Sequence, residues 1–180
     1  MCIRDRNVAS SEIYPTWPDS SLRANILAQI TFVLNRIFTE HYRSQGYNFD
    51  ITNTEAYDQA FIPGRDYFEN ISQIVDDIFN TYIVREGNIN PIFPRFCNGT
   101  TSKCPGGMSQ WGTVDLANQG YTPIEILRYY YGDDIVLVEN APVADIPQTY
   151  PGTPLRLGDD SMAIKRIQIQ LNAISRNYPA

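Results

Sequence analysis

The apolar residues of the N-terminal third recur with the spacing of an α-helix. Asp19-Ser-Ser is an N-cap signal at its start, and Gly46, which can adopt the left-handed conformation, marks the predicted end. Two apolar stripes on one helix predict that it is enclosed on most sides. The stripes consist of Leu22, Ile26, Ile30, Val33 and Ile37, and of Ala24, Leu27, Ala28, Leu34 and Phe38.

The middle of the chain mixes short strands with a second helix. Phe49 and Ile51 alternate as a short strand. An amphipathic helix is predicted over residues 66–79, and residues 82–84 and 92–96 are typical of a hairpin whose prolines indicate a sheet edge. The apolar face of the helix comprises Phe68, Ile71, Ile74, Val75 and Ile78.

Two short helices and a strand are predicted to complete the domain. The helices cover residues 109–118 and 123–131, are joined at Gly120, and the second has Thr122 as its N-cap. Residues 135–138 have the apolar run of a buried strand. Because helices and strands interleave without a repeated βαβ unit, the predicted fold class is α+β.

The C-terminal part has a different composition. Residues 141–154 are rich in Pro, Thr and Gly, which is typical of a linker, so the main domain is expected over residues 7–140. A helix is predicted over residues 160–175. One helix has nothing of its own to pack against, so residues 155–180 are interpreted as the start of a truncated helical module.

Length and charge exclude several functions. The chain has 180 residues and a net charge of −6, and no Lys/Arg cluster is available to neutralise phosphates, so nucleic acid is not an expected partner. No apolar run reaches the length of a transmembrane helix. Residues 1–6 lack the apolar segment of a secretory signal and resemble a spurious leader of metagenomic sequences, so a native signal or anchor is expected to be missing.

The cysteines leave two alternatives open. Cys97 and Cys104 lie seven positions apart across a polar turn and could form a disulfide or remain two buried thiols. His41 is the only histidine, which disfavours a zinc site. No metal or cofactor is expected.

A glycine-rich turn carries the most specific candidate chemistry. It delivers Ser109, Gln110 and Trp111 to a helix start, where backbone N–H groups, a side-chain amide and an aromatic ring occur together. This combination suits a sugar-binding cleft. The alternative is a structural helix cap formed by Ser109, which leaves the glycines on both sides unexplained.

Three segments of the chain, residues 7–29, 96–100 and 107–131, together resemble a known family, that of the stage II sporulation protein D, which comprises peptidoglycan lytic transglycosylases and amidase enhancers of spore-forming bacteria. Asn7-Val-Ala-Ser-Ser-Glu-Ile-Tyr-Pro-Thr-Trp-Pro18 and the helix that follows are similar to the family's A-x-E-M-P-x-x-W-P entry segment and A-L-K-A-Q-A helix. Phe96-Cys-Asn-Gly-Thr100 is more loosely similar to F-x-S-x-S-G-G. Gly107-Met-Ser-Gln-Trp-Gly112 and residues 116–131 are similar to the family's G-M-S-Q-Y-G-A and A-x-x-G-x-x-Y-x-x-I-L-x-x-Y-Y segments. Separately, residues 150–172 resemble the first third of a type 1 peptidoglycan-binding repeat.

The resemblance implies an extracytoplasmic protein that acts on peptidoglycan glycan strands, with a cell-wall amidase as a further partner. Glu12 occupies the position of the family's catalytic acid. In lytic transglycosylation one carboxyl group protonates the glycosidic oxygen and then removes the proton from the muramic acid 6-hydroxyl. The expected substrate-binding residues are Tyr14, Trp17, Ser109, Gln110 and Trp111.

Two departures from the family pattern keep alternatives open. Residues 53–58 replace the family's zinc-binding C-D-x-x-H-C segment without any of its ligands, and Cys104 replaces the histidine of G-H-G-V-G-M. The alternative functions are a noncatalytic peptidoglycan-binding or amidase-enhancing module, and a structural protein of the spore envelope.

Overall fold

The computed structural model describes residues 2–102 and 104–142, together with the isolated positions 156, 164 and 168. The helices and strands of residues 2–142 belong to one unit, Met1–Pro142. Apart from the isolated positions, the predicted linker beyond residue 142 and the predicted helix over residues 160–175 lie outside the described residues. Within them, five α-helices and two small sheets form an α+β fold, as predicted.

Helix α2, Asp19–Phe38, lies between the two hydrophobic clusters of the domain. Leu22, Ile26 and Ile30 pack with helices α1 (Cys2–Glu12) and α3 (Glu69–Ile78). Ala24, Leu27 and Ala28, on the adjoining stripe, pack with residues of the C-terminal half. The prediction of a helix enclosed on most sides is confirmed, because twelve of its residues from Ser21 to Val33 are buried.

The ends of α2 differ from the prediction. Its N-cap is Pro18, and Asp19 is the first helical residue, where its carboxylate pairs with Arg23 one turn later at 2.9 Å. The helix ends at Phe38. Gly46 does adopt a left-handed φ of 89°, but it ends a separate 3₁₀ turn, Arg43–Gln45.

Helix α1 was missed by the sequence analysis, because its polar sequence has no apolar stripe. Tertiary contacts hold it instead: the Asn7 side chain donates to the Ile62 carbonyl oxygen at 2.7 Å and accepts from the Ile62 N–H at 2.9 Å. Residues 2–6 of the segment that resembles a leader belong to this helix, and Asp5 is buried in the domain.

The segment between α2 and α3 contains no strand, so the prediction of a strand at Phe49 and Ile51 was wrong. The Phe49 ring packs on Tyr42 and Tyr47, so local ring contacts take the place of strand pairing. The predicted start of α3 was also too early. Phe68 is its N-cap and is exposed, whereas Ile71, Ile74 and Val75 are buried as predicted.

Each of the two sheets has two strands. Strand β1 (Tyr82–Arg85) pairs antiparallel with β4 (Ile135–Val138), and β2 (Phe96–Cys97) pairs parallel with β3 (Met108–Ser109). The predicted hairpin is reduced to one bridge between Val84 and Pro91, and β1 takes β4 as its strand partner instead. Of the predicted buried strand β4, Ile135 is buried and the other three residues are half-buried.

Helices α4 (Gln110–Asn118) and α5 (Pro123–Tyr131) follow the predicted signals closely. Thr122 is the N-cap of α5 and forms a reciprocal capping box with Glu125, with Pro123 in the first helical position. Both helices pack on α2, which brings the start of α4 near the end of α1.

Candidate functional site

A cavity of about 280 Å³ brings together two of the six predicted site residues, Glu12 and Gln110. Glu12 is the last residue of α1, and Gln110 is the first residue of α4. Two loops complete the wall: the segment around residues 55–58 and the segment around residues 97–102. The full lining is Ser11, Glu12, Glu55, Asp58, Phe96, Cys97, Asn98, Thr101, Ser102 and Gln110.

Both oxygens of the Glu12 carboxyl group accept hydrogen bonds. Oε1 accepts from the main-chain N–H of Ala60 at 2.8 Å, and Oε2 accepts from Gln29 Nε2 at 3.0 Å. Burial raises the pKa of Glu12 to about 7, and the negative charge of Glu55 adds to this, although the two hydrogen bonds and Arg4 oppose it. Near neutral pH this carboxyl group is therefore present in both its acid and its base form.

Asp58 lines the same cavity but has a different environment. Its Oδ1 accepts from Arg36 Nε at 2.9 Å, and its Oδ2 accepts from the Tyr42 hydroxyl at 2.7 Å and from Thr52. Burial alone would raise the pKa of Asp58, but these hydrogen bonds and the Arg36 charge outweigh it and hold the pKa below its usual value. Asp58 is therefore an ionised carboxylate that fixes the loop, with its lone pairs already occupied.

The Gln110 side chain lines the cavity without a hydrogen-bond partner among the described residues. Its residue is only 6% exposed, and within the described part of the chain its side-chain amide makes no hydrogen bond. The polar atoms of this amide are accessible at the cavity, so they can hydrogen-bond with water or with a ligand that occupies it. Gln110 therefore offers one carbonyl acceptor and two N–H donors to a ligand.

Ser109 does not line the cavity. Its hydroxyl oxygen accepts from the Gly112 N–H at 3.0 Å, so it is the N-cap of α4. The flanking glycines also have a packing reason: a Cβ at Gly107 would lie 2.8 Å from the Arg95 carbonyl oxygen, and one at Gly112 would collide with the Tyr130 hydroxyl. The alternative of a structural helix cap thus accounts for this turn, glycines included.

The three predicted aromatic residues form one cluster outside the cavity lining. The ring centroids of Trp17 and Trp111 are 4.9 Å apart, and Tyr14 lies 5.7 Å from each. Trp17 is 8% exposed and belongs to the hydrophobic core, whereas Tyr14 is 55% and Trp111 37% exposed. Trp17 thus joins the aromatic cluster to the hydrophobic core, and the accessible rings of the cluster are those of Tyr14 and Trp111.

The segment from Cys97 to Cys104 is closed by a disulfide bond, with the Cα atoms 5.7 Å apart. This decides between the two alternatives that the sequence left open. Within the closed loop, Asn98 Oδ1 accepts from the backbone N–H groups of Thr100 and Thr101. Because Cys97, Asn98, Thr101 and Ser102 line the cavity, the disulfide constrains one of its walls.

A larger cavity of about 550 Å³ contains none of the predicted site residues. Arg85, the cationic residue in its wall, is paired with Asp134. In the described ranges, no three His, Cys, Asp or Glu side chains are arranged to hold a metal ion. The smaller cavity therefore has the chemistry that favours it as the candidate site.

Eight of the ten lining residues were not predicted as site residues, and Glu55 and Asp58 are the charged ones among them. The two donors to Glu12, Gln29 and Ala60, were missed as well. A signal for Gln29 was present, because Ser21, Asn25 and Gln29 form a polar line at four-residue spacing inside an otherwise apolar helix. No comparable local signal marks Ala60, whose contribution is a main-chain N–H.

Among the described residues, no helix is long and apolar enough to cross a bilayer. Comparison of the chain with protein-family models, with curated proteins and with solved structures finds no match.

Proposed function

We propose that this protein cleaves the glycan strands of bacterial peptidoglycan by lytic transglycosylation, with Glu12 as both acid and base. The observation that carries the proposal is the cavity shared by Glu12 and Gln110. The choice of peptidoglycan as the substrate depends on the sequence resemblance.

The proposed reaction needs only one carboxyl group. Protonated Glu12 donates its proton to the glycosidic oxygen as the bond to the anomeric carbon breaks. The resulting carboxylate removes the proton from the muramic acid 6-hydroxyl, whose oxygen attacks the anomeric carbon. The products are a 1,6-anhydro end and a new free hydroxyl, and Glu12 is protonated again.

The environment of Glu12 supports this double role. A carboxyl group that must donate and then accept a proton works best when its pKa lies near the working pH, and burial brings Glu12 to about 7. Asp58 is occupied by Arg36, Tyr42 and Thr52, so it is poorly suited to act as a second base. The unpartnered Gln110 amide can bind an N-acetyl or hydroxyl group of a sugar.

The proposed place of action is outside the cytoplasm, at the cell wall or spore envelope. The disulfide between Cys97 and Cys104 supports this, because such bonds persist in oxidising compartments. A cell-wall amidase is the proposed protein partner, since amidases and transglycosylases act on the same polymer.

A second candidate is a module that binds peptidoglycan without cutting it, including one that enhances an amidase. Two observations favour it. Both Glu12 oxygens already accept hydrogen bonds, as a structural carboxyl group would, and the exposed rings of Tyr14 and Trp111 lie outside the cavity, as in a binding surface.

One experiment separates the two candidates. Glycan strands stripped of stem peptides are incubated with the parent protein and with Glu12→Gln, and the products are identified by mass spectrometry. Glu86→Gln, which changes an exposed carboxyl group outside the cavity, is the matched control. Anhydro-muramic ends from the parent and the control, but not from Glu12→Gln, are expected. If the folded parent binds sacculi but yields no such ends, the binding module replaces the enzyme.

A further inference from the structure

The side chain of Gln29 has an unusual position for a helix interior. Gln29 lies in the buried part of α2 and is 4% exposed. Its Nε2 donates to Glu12 Oε2 at 3.0 Å. Its Oε1 is buried and has no hydrogen-bond partner among the described residues.

This arrangement is unfavourable for stability taken alone, because a buried carbonyl oxygen without a partner loses its hydration without compensation. An apolar side chain of the same length would fill the position without that loss. The amide is therefore best explained by its one contact, the hydrogen bond to Glu12.

We propose that Gln29 is the positioning residue for the Glu12 carboxyl group, and that its side-chain amide, together with the Ala60 N–H, holds the carboxylate form of Glu12 at the cavity. The Gln29 amide and the Ala60 N–H donate to different oxygens of Glu12, so they fix the orientation of the carboxyl plane as well as its position. Gln29 itself does not line the cavity, so it acts through Glu12.

The charge balance around Glu12 explains why such a donor is needed. Burial and the negative charge of Glu55 both disfavour the carboxylate, and Arg4 on α1 favours it. Asp58, on the same loop as Glu55, is paired with Arg36. Without the Gln29 amide, Glu12 would keep its proton to higher pH and would return less readily to the base form.

Gln59 supports the position of Gln29. Its Nε2 donates to the Gln29 main-chain carbonyl oxygen at 2.9 Å, and its Oε1 accepts from Arg4 at 2.7 Å. Gln59 is fully buried and precedes Ala60 in the chain. The loop that supplies the second donor to Glu12 is thus tied to the residue that supplies the first.

The role of Gln29 in catalysis depends on the proposed function, so the test measures Glu12 directly. The titration of the Glu12 carboxyl carbon is followed by ¹³C NMR in the parent and in Gln29→Met, which keeps the side-chain length and removes the donor. We expect the titration midpoint to rise by about one pH unit or more, since a hydrogen bond to the charged form is lost. In the glycan assay, the loss of activity on the alkaline side moves to higher pH by the same amount.

Asn25→Leu is the matched control. Asn25 lies one turn earlier on α2, is equally buried and also has an unpartnered oxygen, but its amide donates to Ser21 and Thr113. The Glu12 midpoint is expected to stay unchanged in this variant. A Glu12 midpoint that is the same in folded Gln29→Met as in the parent, or that moves equally in Asn25→Leu, would overturn the proposal.

Two further outcomes are also decisive. If Gln29→Met does not fold, Gln29→Leu is measured in its place, and failure of both to fold marks Gln29 as a structural residue and overturns the proposal. If the parent cleaves no glycan but the midpoint still rises in Gln29→Met, the positioning of Glu12 stands and the proposed transglycosylase reaction fails.

Discussion

Glu12 at the end of α1 and Gln110 at the start of α4 line the same cavity, although the two residues are far apart in the chain. One supplies a carboxyl group whose pKa burial raises to about 7, and the other supplies an amide without a partner. Acid catalysis on a polar substrate needs at least a proton donor and a free hydrogen-bonding group, and this cavity contains both.

The first prediction concerns the charge at Glu55. Glu55→Gln removes a negative charge that raises the pKa of Glu12, so the pKa should fall. Because the first reaction step needs protonated Glu12, activity should be lost at lower pH than in the parent, by roughly half a pH unit. The measurement is the pH profile of glycan cleavage at low ionic strength. Raising the salt concentration should shrink the difference, and an unchanged profile at low salt would contradict the role of Glu55.

The second prediction concerns stability and pH. Glu12 has a pKa of about 7 in the folded protein and 4.5 as its ordinary value, so folding favours its protonated form. The contribution of Glu12 to the free energy of unfolding is fully present below pH 4.5 and is lost as the pH rises through about 7. The total loss is about 3 kcal/mol.

Urea denaturation of the parent and of Glu12→Gln between pH 4.5 and 7 tests this predicted loss of stability. The free energy of unfolding of the parent should fall relative to the variant between pH 4.5 and 7. A constant difference between the two proteins would show that Glu12 is not buried in the acid form.

The third prediction concerns the buried ion pair of Asp58 and Arg36. The Asp58 side chain is fully enclosed, and its replacement in Asp58→Asn leaves the Arg36 charge without its partner. The free energy of unfolding should fall by about 3 kcal/mol. Asp50→Asn, which breaks the half-exposed pair with Arg43, is the control and should change stability little. Equal effects of the two substitutions, measured by urea denaturation, would remove Asp58 as the anchor of the cavity loop.

The fourth prediction separates the two tryptophans of the aromatic cluster. Trp17→Ala should cost about 3–5 kcal/mol of stability, because the side chain is part of the core. Trp111→Ala should leave stability nearly intact and weaken binding to sacculi roughly three- to tenfold, because an accessible ring face is lost. Thermal unfolding and a sedimentation assay with purified sacculi measure the two effects. Unaltered binding by Trp111→Ala would exclude the cluster from the binding surface.

Elements with local signals could be predicted from the sequence. The apolar stripes of α2, the capping box of α5 and the apolar run of β4 each depend on residues close together in the chain. The polar helix α1 could not be predicted in this way, because contacts such as those of Asn7 with Ile62 hold it. The predicted partner of β1 was wrong because the pairing is not local. The segment after the turn, which forms only the bridge to Pro91, is near in the chain, whereas the actual partner β4 is far along it.

The candidate site was predictable only in part. Glu12 was identified through the family resemblance and Gln110 through the glycine-rich turn, whereas the cavity that joins them depends on how the helices pack and could not be predicted. The sequence predicts a ligand-binding role for Ser109 because capping alone does not explain the neighbouring glycines; the structure explains Gly107 and Gly112 by their close approach to Arg95 and Tyr130. The donors to Glu12 come from α2 and from a distant loop, and no spacing rule connects them.

The partner of Glu12 Oε1 is a main-chain N–H, so it exists with almost any residue at position 60. Substitutions that change only the side chain at position 60 therefore leave this donor in place. Only proline lacks that N–H. Ala60→Pro is thus the substitution that removes the donor and reveals the contribution of the main chain to Glu12.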